Sequence, residues 1–137
     1  MSLPKVAVIT YYTDVSPYKE RWEEQNQTWI PLVKQLGVSV LSLKADPNFK
    51  GNYLEQDNFI LFNGKSKFEG KYDKTLSQAT LATTQWAKDQ NLDYIFLVDN
   101  DTYVHPYNFI SLIKEYSENP EIIYAGGCTP WIVTGKI

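Results

Sequence analysis

Cysteine and histidine are nearly missing from this chain: Cys128 and His105 are the only ones among 137 residues. A lone thiol closes no internal disulfide, and one cysteine with one histidine cannot build a zinc cage. Any metal held here therefore needs oxygen ligands. Cations are also in the minority, 13 Lys and Arg against 16 Asp and Glu, for a formal net charge of −3. No basic surface is expected to neutralise polynucleotide phosphates, so nucleic acid is excluded as the expected partner. No stretch approaches the roughly 20 apolar residues of a membrane span. Met1-Ser2-Leu3-Pro4-Lys5 also has no apolar run behind a basic start. The expectation is a soluble chain, cytoplasmic if Met1 is its natural start. A cloning remnant at Met1 to Leu3, with an upstream anchor cut away, reads the same. What is present is 43% hydrophobic and 15% aromatic residues, enough for one domain over residues 1–137 with a buried core.

Lys5 to Tyr12 (KVAVITYY) is a β-branched and aromatic run suited to a strand buried on both faces, closed by Thr13-Asp14. Ser16-Pro17 follows as an N-cap and first helical position, and Tyr18, Trp22, Trp29, Val33 and Leu36 recur near helical spacing. Gly37 ends that helix, and Pro31 is expected to kink or divide it. Val38 to Leu43 is a second strand, Asn58 to Phe62 a short third, and residues 46–70 otherwise read as loop. Leu76, Ala79, Thr83 and Trp86 line one face of a helix from about Tyr72 to Gln90. A buried strand from Tyr94 to Val98, a helix from Pro106 to Tyr116 and a strand from Glu121 to Ala125 complete the order. This alternation predicts an α/β fold, a mostly parallel sheet flanked by helices, with ligands at the carboxyl ends of the strands.

The apolar run Tyr94-Ile95-Phe96-Leu97-Val98 leads straight into Asp99-Asn100-Asp101. If the backbone stays extended to Asp101, alternation puts both carboxylates on one side. Two like charges that close repel unless a cation sits between them. A hard divalent ion, Mn²⁺ or Mg²⁺, suits carboxylate and phosphate oxygens and can steady a departing diphosphate. Taken alone, so common a tripeptide reads first as a loop with two solvated acids, one of them capping the next helix. Its place at the end of a central strand favours the ligand crevice.

Tyr72-Asp73-Lys74-Thr75, then Trp86, then Phe96-Leu97-Val98-Asp99-Asn100-Asp101-Thr102-Tyr103-Val104 resembles the fringe-like β1,3-galactosyltransferase family. That family has a Tyr and a Lys-Thr on a helix, a Trp near its end, and a hydrophobic strand running into Asp-Asp-Asp-Val-Phe-Val. Arg21 with Thr28-Trp29 is similar to a looser form of its Arg and Thr-Trp segment, and Tyr124-Ala125-Gly126-Gly127 resembles the strand after its acidic motif. In element order the resemblance covers roughly residues 4–127, and its specific part is 72–104. It implies the GT-A fold, a Rossmann-like nucleotide-sugar-binding layer whose Asp-X-Asp holds Mn²⁺ (or Mg²⁺) and a UDP-sugar donor. By resemblance Asp101 ligates the metal directly, while Asp99 meets the donor ribose or a metal-bound water. Asn100, also in the donor site, stands where the family has its middle Asp, which removes any role of that carboxylate.

The same fold receives the nucleobase at the end of its first strand, here Thr10, Tyr11, Tyr12 and Thr13, where a tyrosine ring either stacks on uracil or packs under a loop. Asp46 either accepts from the uracil imide or simply forms the turn before Pro47. Lys74, a cation at a helix start and thus poorly placed for the dipole, is either a phosphate partner or a solvated side chain. His105 reads as a cap, Trp22, Trp29 and Trp86 as core, and Trp131 as an untested acceptor-side residue.

The expected function is a metal-dependent glycosyltransferase, or its donor-binding domain, with a glycan, protein or small-molecule acceptor. A non-catalytic nucleotide-sugar-binding module is one alternative. A haloacid-dehalogenase-type phosphohydrolase is a weaker one, because it expects Thr where Tyr103 stands. Inverting transfer needs a general base, and after Asp101 the only side-chain carboxylates are Glu115, Glu118 and Glu121. None of them is expected at the ligand edge, so this chain alone is expected to transfer sugar poorly.

Overall fold

The structure is a computed structural model that describes residues 4–65, 75–119 and 121. Strand β1 (Val6–Tyr12) is the expected β-branched run, and Val6 to Thr10 are each 7% exposed or less, as a strand covered on both faces must be. The helical stretch after it is divided into α1 (Tyr18–Gln27) and α2 (Trp29–Gln35). The break falls at Thr28 rather than at Pro31. Pro31 lies in the first turn of α2, where its missing N–H is one the helix could not have used. Nor is Ser16 the cap: Pro17 takes that place, and Ser16 Oγ donates to Glu20 Oε1 at 3.0 Å. Gly37 does end the helix. At φ +90° its N–H meets the Lys34 carbonyl and the next N–H, of Val38, reaches Val33, which together make a Schellman closure.

Strand β2 (Ser39–Asp46) runs three residues past its expected end. Strands β3 (Leu54–Gln56) and β4 (Phe59–Asn63) form a hairpin whose two linking residues, Asp57 and Asn58, have φ of 53° and 67°, the type I′ pattern that suits twisted strands. Helix α3 (Thr75–Asp89), strand β5 (Tyr94–Leu97) and helix α4 (Pro106–Glu118) follow. Along α3, Ala79, Ala82, Thr83 and Trp86 are buried, but Leu76, expected on that face, is 51% exposed. Strand β5 is less buried than expected, with Leu97 at 43%, because among the described residues it is the edge of the sheet. The strand expected at 121–125 lies outside the described residues except for Glu121, which is in a turn.

The five strands lie in the order β3-β4-β2-β1-β5, all pairs parallel but for the β3–β4 hairpin. The molecule is thus an α/β protein with a mostly parallel, mixed sheet. Alternation along β1 sends Val6 and Val8 into a core with Trp29, Ile30 and Val33 of α2 and Phe109 and Ile113 of α4. Ala7 and Ile9 face the opposite way, into a core with Ala79, Ala82 and Trp86 of α3. Each large apolar side chain so buried contributes about 1.5–3 kcal/mol. The chain winds outward from β1 to β2 and β4, then returns through α3 to place β5 on the other side of β1. The direction of winding therefore reverses between β1 and β5, and in open sheets ligands bind at such a reversal, beyond the carboxyl ends of the strands. Among the described residues no helix is long and apolar enough to cross a membrane.

At the far edge of the α3 layer, the Asp89 carboxylate accepts the Tyr53 hydroxyl at 2.5 Å and the Gln85 amide at 3.0 Å. These bonds, that from Tyr53 foremost, hold Asp89 below the ordinary carboxylate value. A depressed carboxyl supports the fold above the ordinary carboxylate range and loses that support as pH falls through its lowered value. In a carbon-13 NMR titration Asp89 is expected to show a low midpoint that rises toward the ordinary one in Tyr53→Phe. A midpoint indifferent to that substitution would show that another group sets it.

Candidate functional site

Beyond the carboxyl ends of β1 and β5 opens a cavity of about 630 Å³, within the range of small-molecule sites. Tyr11, Tyr12 and Thr13 line it from β1 and its exit, Leu43 and Ala45 from β2, and Phe62 from β4. Thr75, Leu76 and Ala79 enter from α3, which accounts for the exposure of Leu76. Asp99, Asn100 and Asp101 close the side where the sheet reverses, and two cations, Arg21 of α1 and Lys65, also reach the cavity. Gly64, buried beside it, leaves no room for a side chain: a Cβ there would stand 2.7 Å from the Phe62 ring and 3.1 Å from Thr75 Cγ2.

The acidic residues arrive by a route different from the one expected. Val98 still pairs with β1, its N–H donating to the Ile9 carbonyl at 2.9 Å. The backbone then leaves extended geometry, and the Thr102 N–H closes back on the Asp99 carbonyl at 3.1 Å. Asp99 and Asp101 thus share a cavity through a tight turn and not through strand alternation. That turn is gripped from below. The Gln25 Nε2 group donates to the carbonyls of Asp99 and Thr102, each at 2.9 Å, and Trp29 Nε1 donates to Thr102 at 3.0 Å. Gln25 is 3% exposed, and its Oε1 accepts the Thr10 hydroxyl at 2.8 Å. Thr10 is consequently a buried support and does not line the cavity, contrary to its expected ligand contact.

Adjacent tyrosines of β1 serve opposite faces. Tyr12 meets Trp22 edge-on at 4.8 Å and Phe59 at 5.4 Å between ring centroids, and Trp22 is tied to Ser42 Oγ through its indole N–H at 2.8 Å. Lys44 Nζ lies over the Tyr12 and Phe59 rings, 5.5 and 5.4 Å from their centroids. Tyr12 is therefore a fixed wall. Tyr11 packs on the α3 side, and burial first, then the Asp99 charge, raises its phenol above the ordinary tyrosine value.

Asp46 does not line the cavity: its Oδ1 accepts the Asn48 N–H at 2.8 Å, so it forms the turn that its place before Pro47 allows. His105 is a cap, its Nδ1 accepting the Asn108 N–H at 3.3 Å. Lys74, Tyr72 and Trp131 lie outside the described residues. Sequence reasoning missed Gln25 and Lys65, and noticed Arg21 only through its resemblance. Arg21 stacks on the Tyr18 ring at 5.4 Å and, among the described residues, has no carboxylate partner. Its spacing from Tyr18, three residues along α1, is the one signal that could have placed it on the site-facing side.

A comparison with family models finds no match to this chain, and comparisons with curated proteins and with solved structures find none either.

A raised phenol supports the fold below the ordinary tyrosine value and loses that support as pH rises through the raised one. Asp99→Asn is expected to lower the Tyr11 midpoint only in part, since burial is the larger cause. An NMR titration of labelled tyrosines checks this, and a Tyr11 midpoint unchanged by Asp99→Asn would separate the two groups electrostatically.

Proposed function

We propose that this domain binds a nucleotide-diphosphate sugar, a UDP-sugar by resemblance, through a divalent cation on Asp99 and Asp101, as the donor-binding layer of a GT-A glycosyltransferase. The observation that carries the reading is the acidic turn in a ligand-sized cavity at the reversal of the sheet. Among the described residues no three His, Cys, Asp or Glu side chains converge into a protein-only metal cage. Two carboxylates alone fit Mg²⁺ or Mn²⁺, which habitually complete their coordination with substrate phosphate oxygens and water. Such an ion, when bound, neutralises charge on a leaving diphosphate.

The remaining roles follow from position. Arg21 and Lys65 would face the diphosphate. Tyr12, held by Trp22 and Phe59, offers the nucleobase a ring that needs no ordering on binding. Asn100 adds a neutral hydrogen-bonding group between the two acids.

A second reading, a nucleotide-sugar-binding module without transfer activity, is favoured by one feature. Among the described residues, Asp99 and Asp101 are the only carboxylates that line the cavity. Both are committed to the cation, and neither is left to take an acceptor proton.

Calorimetric titration of UDP with and without Mn²⁺ tests donor binding for both readings. Affinity is expected to depend on Mn²⁺ and to lose that dependence in Asp101→Ala. Saturation at a hundred times the dissociation constant should stabilise the protein by about 2.7 kcal/mol. Arg21→Ala is expected to weaken UDP binding roughly tenfold or more, the value of a charge-assisted hydrogen bond. Equal UDP affinity with and without Mn²⁺ would sink the metal bridge. Turnover of a panel of nucleotide sugars then separates transferase from module.

A further inference from the structure

Among the described residues, Gln25 is the buried side chain that reaches the acidic turn with both ends of its amide occupied. Its oxygen takes the Thr10 hydroxyl at 2.8 Å, which leaves its nitrogen facing the turn. Both N–H groups are then used, one on Asp99 and one on Thr102, each at 2.9 Å. These are the first and last residues of the turn that the Thr102 N–H closes on Asp99. Asp101 lies between them, and its own side chain is exposed.

We propose that Gln25, oriented by Thr10, is a positioning residue for the Asp99 and Asp101 cation site and sets its affinity without touching the ligand. This rests on the proposed function. A turn whose two ends are not tied together samples open forms, which a cation would have to close on binding. A neutral amide tying the two ends of the turn resists the opening and adds no charge beneath the acids. Cation binding then does not have to order the loop, so affinity is kept that would otherwise be lost to ordering. The alternative, that Gln25 only satisfies buried carbonyls, gives stability but no change in the affinity of folded molecules.

The test uses the whole chain, with Mn²⁺ alone and Mn²⁺ with UDP as probes, in Gln25→Met, Thr10→Val and Thr10→Ser. Methionine keeps the length of the side chain but makes no hydrogen bond, valine removes the orienting hydroxyl, and serine restores it. Melting temperatures confirm that each variant is folded at the assay temperature, and exchange of the Thr102 amide proton reports the turn directly. Gln25→Met is expected to weaken Mn²⁺ binding on the order of 10–100-fold, the usual effect of losing a group that orients a ligand, and to speed Thr102 exchange. Thr10→Val should follow in the same direction, and Thr10→Ser should stay close to the wild type. Wild-type affinity in folded Gln25→Met would overturn this inference alone. No Mn²⁺ binding by the wild type, either alone or with UDP, would overturn it together with the proposed function.

Discussion

The parallel pairing of β1 on both sides is the constraint on which the rest depends. Because β2 and β5 flank it, β1 has no free edge, and because its residues alternate between two cores, helices must cover both faces of the sheet. The reversal of winding beside β1 then leaves an opening at its carboxyl end. The acidic turn is brought there by the same pairing, carried one residue past β5 by the bond from Val98 to Ile9. A slip of one residue between β1 and β5 would exchange the faces of β5 and move Asp99 off the cavity. The site is thus a consequence of register before it is one of side-chain chemistry.

Within that frame the two layers contribute unequally. The α3 side supplies an apolar wall from Ala79, Phe62 and Leu43, while α1 supplies Tyr18 and Arg21, and Gln25 beneath the turn. Tyr11 and Tyr12 divide the same way, one toward each layer. Charge reaches the cavity from both: Arg21 from α1, and Lys65 from the α3 side, where its backbone N–H donates to Thr75 Oγ1 at 3.0 Å.

Much of the fold was legible in the sequence because its signals are local. The β-branched run of β1, the period of Ala79, Thr83 and Trp86, and the Gly37 stop each follow from a few neighbouring residues. The location of the acidic pair was legible for the same reason. The shape of its turn was not, because the extended reading of Asp99 to Asp101 gave no weight to contacts from α1. Gln25 lay hidden among Glu23, Glu24, Asn26 and Gln27, a stretch that reads as a solvated face, and its partners are 74 and 77 residues away. Strand β3 was missed because Leu54-Glu55-Gln56 is short and exposed, and Asp57-Asn58 lacks the glycine that usually announces a type I′ turn.

The grip of Gln25 and Trp29 falls entirely on main-chain carbonyls of the turn. Carbonyls are common to all twenty amino acids, so the scaffold recognises the path of the loop and is indifferent to the letters written on it. Residues 99 to 101 can therefore be rewritten with other side chains while the loop keeps its course. The architecture separates the holding of the site from its chemistry, and a protein built in this way can change the ligand it selects without first relearning how to fold.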